Sequence, residues 1–187
     1  IKQLEAAVGY ITEVCRSAGL KNAKHLWQPA LPKVLYLDDI IDEYGFVSEG
    51  ITAYIGKADD YLNQRMYPAA INISECSNLM IVGMAGSGKT TMLQTMLVSV
   101  MKNYSCEQAV YYLLDFSSRT LKMFGKSKHC GLAVFSDDEE TVLRLMKYIS
   151  AEMSRRKKLF AEENVGSYGE YVKRKRLPLI MLIIDNY

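Results

Sequence analysis

One stretch of the 187-residue chain combines glycines, a lysine and a threonine at a spacing that can bind phosphate. Residues 83–90 read Gly-Met-Ala-Gly-Ser-Gly-Lys-Thr and fit the pattern G-x-x-x-x-G-K-[ST] in full. Glycines permit unusual backbone dihedrals and a close approach of the main chain to a ligand. Backbone N–H groups from about Ala85 to Thr90 can then point at a phosphate, and the start of the following helix adds positive potential. The motif therefore predicts a nucleotide-binding loop.

The side chains of this loop have distinct predicted roles. Lys89 is expected to reach the β- and γ-phosphates, and the Thr90 hydroxyl is expected to bind Mg²⁺. Thr91 is expected to lie near the α-phosphate. The predicted ligands of the nucleotide, which is ATP, are Gly83, Ala85, Gly86, Ser87, Gly88, Lys89, Thr90 and Thr91.

An acidic side chain is expected to complete the site. An apolar run over 179–184 ends at Asp185, as a buried strand would end. We expect Asp185 to act with Thr90 as the Mg²⁺ pair, and Lys89 and Asp185 to be the catalytic residues. The next residue is Asn186, where many motor ATPases carry a glutamate that polarises the attacking water. Because an amide cannot accept a proton as a carboxylate does, weak or absent ATP hydrolysis is expected.

Alternating strands and helices must position these residues. The apolar run over 78–82 predicts a buried strand before the loop, and a helix is predicted over 91–103. Further strands are predicted over 51–56, 70–73, 109–114, 132–135 and 179–184. Further helices are predicted over 4–18, over 120–124, from a Ser136 cap to about residue 162, and after a Ser167 cap. This alternation predicts an α/β domain with a mostly parallel sheet.

Residues 1–50 are predicted to form an N-terminal helix and an extended linker, and residues 51–187 the nucleotide-binding domain. Within the linker, residues 26–36 carry Trp27, Leu31 and two prolines that oppose helix. We expect this apolar strap to dock, either on its own domain or on a neighbour. Asp115 ends the strand over 109–114, and it either contacts the nucleotide site or caps a turn.

Composition excludes several classes of protein. Hydrophobic residues make up 49% and charged residues 24% of the chain, as in a soluble globular domain and unlike a disordered or collagen-like chain. The formal net charge is only +2, so the chain as a whole does not indicate a nucleic-acid or membrane partner. No apolar run approaches the roughly 20 residues that span a bilayer. The four cysteines have irregular spacing, which favours reduced thiols over a disulfide framework or a zinc site.

Several further stretches resemble one family of motor ATPases. Residues 26–32 read LWQPALP, residues 55–60 read IGKADD, and residues 114–121 read LDFSSRTL. Residues 155–160 read RRKKLF, and the nucleotide loop completes the set. In this order they resemble the EssC/EccC-type ATPase modules of type VII secretion, which are FtsK/SpoIIIE-type motors. Tyr61 replaces a usual proline, and serines replace common glycines in the LDFSSRTL stretch.

The resemblance implies a RecA-like P-loop fold with helices on both sides of the sheet. It also implies a cytoplasmic module of a membrane-anchored protein, with adjoining ATPase modules in the same polypeptide. The partners that it implies are secreted helical-hairpin substrates, recognised through a C-terminal signal, and the other subunits of a hexamer. Asn186 fits a second or third, partly degenerate module. The chain is expected to stop short of a complete module, just after the strand that ends at Asp185.

Two other functions stay open at this point. An FtsK-like translocase of double-stranded DNA has a similar ATPase core, but it needs pore-facing lysines and arginines. The dense basic clusters here lie at 173–176 and 155–158, and the first is explained by a helix end, so DNA binding is not favoured. A binding-only regulatory or interaction module is the second alternative, and Asn186 is the residue that supports it.

Overall fold

The fold was analysed in a computed structural model that describes residues 2–21, 29–47, 50–116, 119–135 and 138–185. Trp27, Ser136 and Asn186, which carried predictions, lie outside the described residues. The helices are α1 (Lys2–Ser17), α2 (Leu37–Tyr44), α3 (Lys89–Asn103), α4 (Glu139–Glu162) and α5 (Tyr168–Val172), with a 3₁₀ helix over Lys122–Lys126. The strands are β1 (Thr52–Asp60), β2 (Arg65–Asn72), β3 (Ala109–Asp115), β4 (Cys130–Val134) and β5 (Leu179–Asp185).

The chain divides into two compact units. One unit contains residues 1–31 and 59–66, and the other contains residues 32–58 and 67–187. In the first unit α1 buries no residue, although its apolar side chains recur at helical spacing. Strands β1 and β2 pair with each other as a separate two-stranded sheet. The boundary predicted at residue 50 stays a prediction.

The second unit is built on a three-stranded sheet in the order β4-β3-β5, with both pairs parallel. The predicted α/β class with a parallel sheet is therefore confirmed. In the β3–β5 ladder Leu113 is paired with Ile183 and Asp115 with Asp185. Since parallel strands run in one direction, their carboxyl ends meet at the same edge, and the two aspartates lie there side by side.

The two faces of β3 bury different helices, because side chains along a strand alternate between faces. One face packs with α3 and the 3₁₀ helix, and the other packs with α4. The first cluster consists of Leu97, Tyr111, Leu113, Leu121 and Phe124, and the second of Tyr112, Leu114, Val134 and Leu145. β3 is therefore the strand against which α3 packs, and α3 is the helix that follows the predicted nucleotide loop.

The strand predicted over 78–82 is not formed, and that prediction is wrong. These residues have no regular secondary structure, and Met80 and Val82 are 72% and 82% exposed. A strand needs a neighbour that accepts and donates its backbone hydrogen bonds. Within the described part of the chain no strand is paired with this segment, so its apolar composition alone does not produce one.

Two helix caps were predicted, Ser136 for α4 and Ser167 for α5, and Ser136 lies outside the described residues. The observed cap of α4 is Asp138, whose carboxylate accepts hydrogen bonds from the Thr141 backbone N–H at 3.1 Å and from the Thr141 hydroxyl. Ser167 caps α5 as predicted and accepts from the Glu170 N–H at 3.3 Å.

The described part of the strap over residues 29–36 lies largely in solvent. Leu31 is 45% exposed and Tyr36 is 67% exposed, whereas Leu35 is half-buried. Since Trp27 lies outside the described residues, its contacts stay a prediction.

Ion pairs on α4 involve the two arginines of the basic cluster at 155–158. Glu152 accepts from Arg155 at 2.7 Å and from Arg156 at 2.8 Å, and its side chain and that of Arg156 are each only 13% exposed. These hydrogen bonds, the one from Arg155 first, lower the pKa of Glu152 from 4.5 to about 2. The clusters at 155–158 and 173–176 are thus partly neutralised within the chain, since Lys175 also pairs with Glu163.

Replacement Glu152→Gln should lower the free energy of unfolding by about 1 kcal/mol at pH 7. Because the folded-state pKa is depressed, this stabilisation is present above pH 4.5 and is lost as the pH falls towards about 2. Urea unfolding at pH 7 and pH 3 should therefore show a difference between wild type and Glu152→Gln that shrinks at pH 3. The exposed pair of Glu140 and Arg144 supplies the control, since Glu140→Gln should change stability by less than about 0.5 kcal/mol. Equal effects of the two variants would contradict the prediction.

Candidate nucleotide-binding site

The loop over residues 83–88 has the backbone conformation that its glycines were expected to allow. Gly86 and Gly88 have φ values of +76° and +91°, in the left-handed region that favours glycine. A Cβ on Gly83 would lie 2.4 Å from the Ser87 hydroxyl oxygen, so no larger residue fits there without a shift. Gly88 precedes α3 directly, and its carbonyl accepts the Met92 N–H at 2.8 Å. The loop therefore leads straight into a helix N-terminus, as a phosphate-binding loop must.

Lys89, the first residue of α3, folds back over this loop. Its ammonium donates to the carbonyl oxygens of Gly83 at 2.9 Å and Met84 at 3.0 Å. Carbonyl oxygens carry only partial negative charge, so a phosphate oxygen is a stronger acceptor for the same ammonium. Lys89 is thus held at the loop by contacts that an anion can replace.

Thr90 and Asp185 are 95 residues apart in the chain and meet in the fold. The Thr90 hydroxyl donates to Oδ2 of Asp185 at 2.9 Å, and Asp185 is only 5% exposed. Helix α3 brings the threonine to this place, and the carboxyl end of β5 brings the aspartate. A hydroxyl and a carboxylate are hard oxygen donors of the kind that Mg²⁺ prefers. The structure brings together the two residues that the sequence analysis assigned to magnesium.

Asp115 lies next to this pair and is fully buried, at 0% exposure. One of its carboxylate oxygens accepts the Leu121 backbone N–H at 3.3 Å. The backbone N–H of Phe116 in turn donates to the Asp185 carbonyl at 3.3 Å. Of the two roles left open for Asp115, the turn contact is observed, and a contact with the nucleotide stays a prediction. The sequence signal for it was an aspartate at the end of an apolar strand.

A groove of about 1800 Å³ runs from the loop along β5. Gly83, Lys89 and Asp185 line one end, and residues of 71–82, α3, β5 and the α5 region between 167 and 173 line most of the rest. Typical small-ligand pockets measure about 300–1000 Å³, so the groove exceeds the volume that one nucleotide requires. It is large because β5 is the edge strand of the three-stranded sheet and the segment over 78–82 does not pair with it.

Neither a multidentate metal cluster nor a membrane span is found in the described part of the chain. No group of three or more histidine, cysteine, aspartate or glutamate side chains is placed to hold a metal ion there. A magnesium ion that uses one carboxylate, one hydroxyl and the phosphates themselves does not need such a group. The helices over the same residues are too short or too polar to cross a bilayer.

Comparison with known proteins identifies the family of this chain. The model of the FtsK/SpoIIIE family matches residues 58–181, more than half of the chain. The type VII secretion system protein EssC of Staphylococcus aureus is 24% identical over 192 aligned residues, which cover 99% of this chain. The ESX secretion system protein YukB of Bacillus subtilis is 29% identical over 191 aligned residues, also 99% of this chain.

A solved structure extends the similarity to three dimensions. It is EssC (ATPases 2 and 3) from Geobacillus thermodenitrificans, with a TM-score of 0.73 and 28% identity. The match covers 85% of this chain and 30% of that one. This chain spans only 13% of the length of Staphylococcus EssC and 12% of YukB. The resemblance predicted from the sequence is confirmed: the chain belongs to the FtsK/SpoIIIE family of P-loop ATPases and is homologous to the ATPase modules of EssC-type proteins of type VII secretion.

Proposed function

We propose that this chain binds ATP with Mg²⁺ as one ATPase module of a type VII secretion motor. The observation that carries the proposal is the 2.9 Å hydrogen bond between Thr90 and Asp185. It unites the hydroxyl of the phosphate-loop motif with the acid at the end of a parallel strand. A glycine-rich turn by itself would not need such a partner.

The residues at the site fit a nucleotide and its metal. The loop needs glycine at three positions: Gly86 and Gly88 are left-handed, and a Cβ on Gly83 would lie 2.4 Å from the Ser87 hydroxyl oxygen. Thr90 and Asp185 are the residues that would hold Mg²⁺, Thr90 directly and Asp185 through water. When bound, the ion neutralises charge on the β- and γ-phosphates.

Each residue of the site contributes by position and charge. The Lys89 ammonium, released from two carbonyl oxygens, attracts the β- and γ-phosphate oxygens. The N–H groups over 85–90, at the positive end of α3, hold the phosphates in the loop. Asp185 is buried and accepts the Thr90 hydroxyl hydrogen, which leaves the lone pairs of the hydroxyl oxygen available to a metal ion. These residues bind and orient a nucleotide, and a base for the attacking water has to be supplied separately.

We expect slow hydrolysis, because Asn186 stands where a glutamate base would follow Asp185. The side chain of an asparagine can orient a water molecule but cannot take its proton. In a module of this kind, bound nucleotide stabilises one conformation of the protein and is not hydrolysed rapidly. This fits a second or third module whose neighbours supply the motor's turnover.

The setting of the module is also a proposal. The solved relative whose name includes ATPases 2 and 3 supports adjoining modules within one polypeptide. On the same reasoning the longer protein is a membrane-anchored motor with this module on the cytoplasmic side. Secreted helical-hairpin proteins are its proposed substrates, and a hexamer is its proposed assembly.

Titration calorimetry with ATP, with and without Mg²⁺, followed by a steady-state turnover assay tests the proposal. We expect saturable binding that tightens with Mg²⁺, and turnover well below about 1 per second, the lower end of the common enzyme range. Absence of binding would overturn the nucleotide function. Turnover at or above that rate would overturn the argument from Asn186 and leave the binding function intact.

A further inference from the structure

We propose that Asp115 is a positioning residue of the nucleotide site, which links bound nucleotide to the turn over residues 119–121. This inference rests on the proposed nucleotide function. Asp115 is fully buried, and its carboxylate accepts the Leu121 N–H. Its contacts join the Asp185 end of the sheet to a turn beside α3.

The turn needs external support because of its backbone. Arg119 has a φ value of +52°, in the left-handed region that a residue with a side chain rarely adopts. Such conformations persist where the surrounding contacts determine them, and they collect at functional sites. The Lys122 N–H donates to the Arg119 carbonyl at 3.1 Å, which closes the turn but does not attach it to the domain.

Two side chains attach the turn from opposite sides. The buried Asp115 carboxylate accepts the Leu121 N–H at 3.3 Å. From α3, the Gln94 side-chain amide donates to the Thr120 carbonyl at 3.2 Å. Leu121 is itself fully buried, at 0% exposure, so its N–H is far from water and depends on the carboxylate as its acceptor. The Thr120 carbonyl and the Leu121 N–H belong to the same peptide group, so the two side chains hydrogen-bond to its two opposite polar atoms.

The same two attachments lead back to the magnesium pair. Gln94 lies four residues after Thr90 on α3, so both side chains lie on one face of that helix. Asp115 is paired in register with Asp185, and the Phe116 N–H bonds to the Asp185 carbonyl at 3.3 Å. The contacts therefore connect Thr90 to Asp185, Asp185 to Asp115, and Asp115 to the turn. Gln94 then connects the turn back to α3, which carries Thr90.

A ligand that holds Thr90 and Asp185 in place should therefore also reduce local opening of the turn. Local opening of such a segment exposes its N–H groups to exchange with solvent, so hydrogen exchange measures the coupling. We expect Mg²⁺ with a non-hydrolysable ATP analogue to slow exchange at the Leu121 amide by about threefold or more. The Ser105 amide donates to the Gln108 side chain at 2.9 Å, before the amino end of β3 and outside the groove, and it should not respond.

Two substitutions of Asp115 test whether the effect depends on the hydrogen-bond acceptor for the Leu121 N–H. Asp115→Asn keeps an oxygen that can accept the Leu121 N–H, and it should retain analogue affinity within about twofold together with the exchange response. Asp115→Ala removes the acceptor, so the response should disappear and affinity should fall about fivefold, at the low end of measured couplings between sites. Gln108→Ala, which removes a side-chain acceptor of a backbone N–H at the opposite end of β3, is the matched control and should leave affinity unchanged.

The outcomes are distinguishable. If wild type binds the analogue in calorimetry but Leu121 exchange does not change, the role of Asp115 is overturned while the nucleotide function stands. If wild type does not bind, both are overturned. Should Asp115→Ala fail to fold, Gln94→Ala replaces it, because Gln94 is only partly buried and holds the same turn. An unchanged exchange response in Gln94→Ala would then overturn the inference, and a weakened one would support it.

Discussion

Replacing Lys89 by alanine is expected to weaken ATP binding at least about tenfold in the presence of Mg²⁺. A hydrogen bond to a charged group contributes about 1.5–3 kcal/mol, and about 1.4 kcal/mol corresponds to a factor of ten. The fold should tolerate the change, because the two bonds lost are those from the Lys89 ammonium to the exposed carbonyl oxygens of Gly83 and Met84. Calorimetry on both proteins at one salt concentration measures the effect.

Helix α3 carries a matched control for this substitution. Lys102 lies near the other end of the same helix and pairs with Asp38 rather than with the loop. Lys102→Ala removes an equal charge, so it reports any general effect of net charge on ATP affinity. We expect it to change the affinity by less than about twofold, since exposed ion pairs contribute little and distant charges are screened. Equal losses in the two variants would contradict a specific role of Lys89.

Replacing Asp185 by asparagine is expected to remove most of the Mg²⁺ dependence of ATP binding. The substitution preserves shape, and an amide oxygen can still accept the Thr90 hydroxyl, so the 2.9 Å contact need not be lost. Without the carboxylate charge, the gain in ATP affinity on adding Mg²⁺ should fall about tenfold. Affinity for metal-free ATP should stay the same or rise, because one negative charge no longer faces the phosphates.

Titrations of Asp185→Asn with and without Mg²⁺ test the sign as well as the size of this effect. Asp39→Asn serves as the control, since Asp39 lies on the exposed face of α2 and should leave both affinities unchanged. A variant that lost metal-free and Mg²⁺-supported binding equally would show that Asp185 supports the fold of the loop rather than the metal. An unchanged Mg²⁺ dependence would remove Asp185 from the proposed metal site.

The sequence was sufficient for those features that depend on local chemistry. The spacing of glycines, lysine and threonine over 83–90 specified a turn followed by a helix, since left-handed glycines and a helix N-terminus follow from residue type. The apolar runs over 109–114 and 179–184 predicted buried parallel strands, and both strands form. β3 is buried as expected, whereas the edge strand β5 leaves Leu182 and Ile184 36% and 42% exposed. Ser167 was recognised as a cap because its partner is only three residues away.

Other features were decided by contacts between distant parts of the chain. The apolar segment over 78–82 has strand composition, yet it stays irregular and exposed because backbone pairing requires a neighbouring strand at the right distance. Helix α4 begins after Asp138, because helix boundaries depend on how the helix packs on β3 and β4. Asp115 could not be assigned to a turn or to the nucleotide, since its partner Leu121 is fixed only once the 3₁₀ helix is buried against β3.

The residue types and spacing of the phosphate loop, the α/β class and the identity of its acidic partner were thus determined by the amino-acid sequence. Tertiary structure alone decided that Thr90 and Asp185 lie within hydrogen-bond distance across 95 residues, and that Asp115 stands beside them. The physical reason is the register of β3 and β5. One parallel ladder brings both aspartates to the same edge, where α3 is held by the core formed with Leu97, Tyr111 and Leu113.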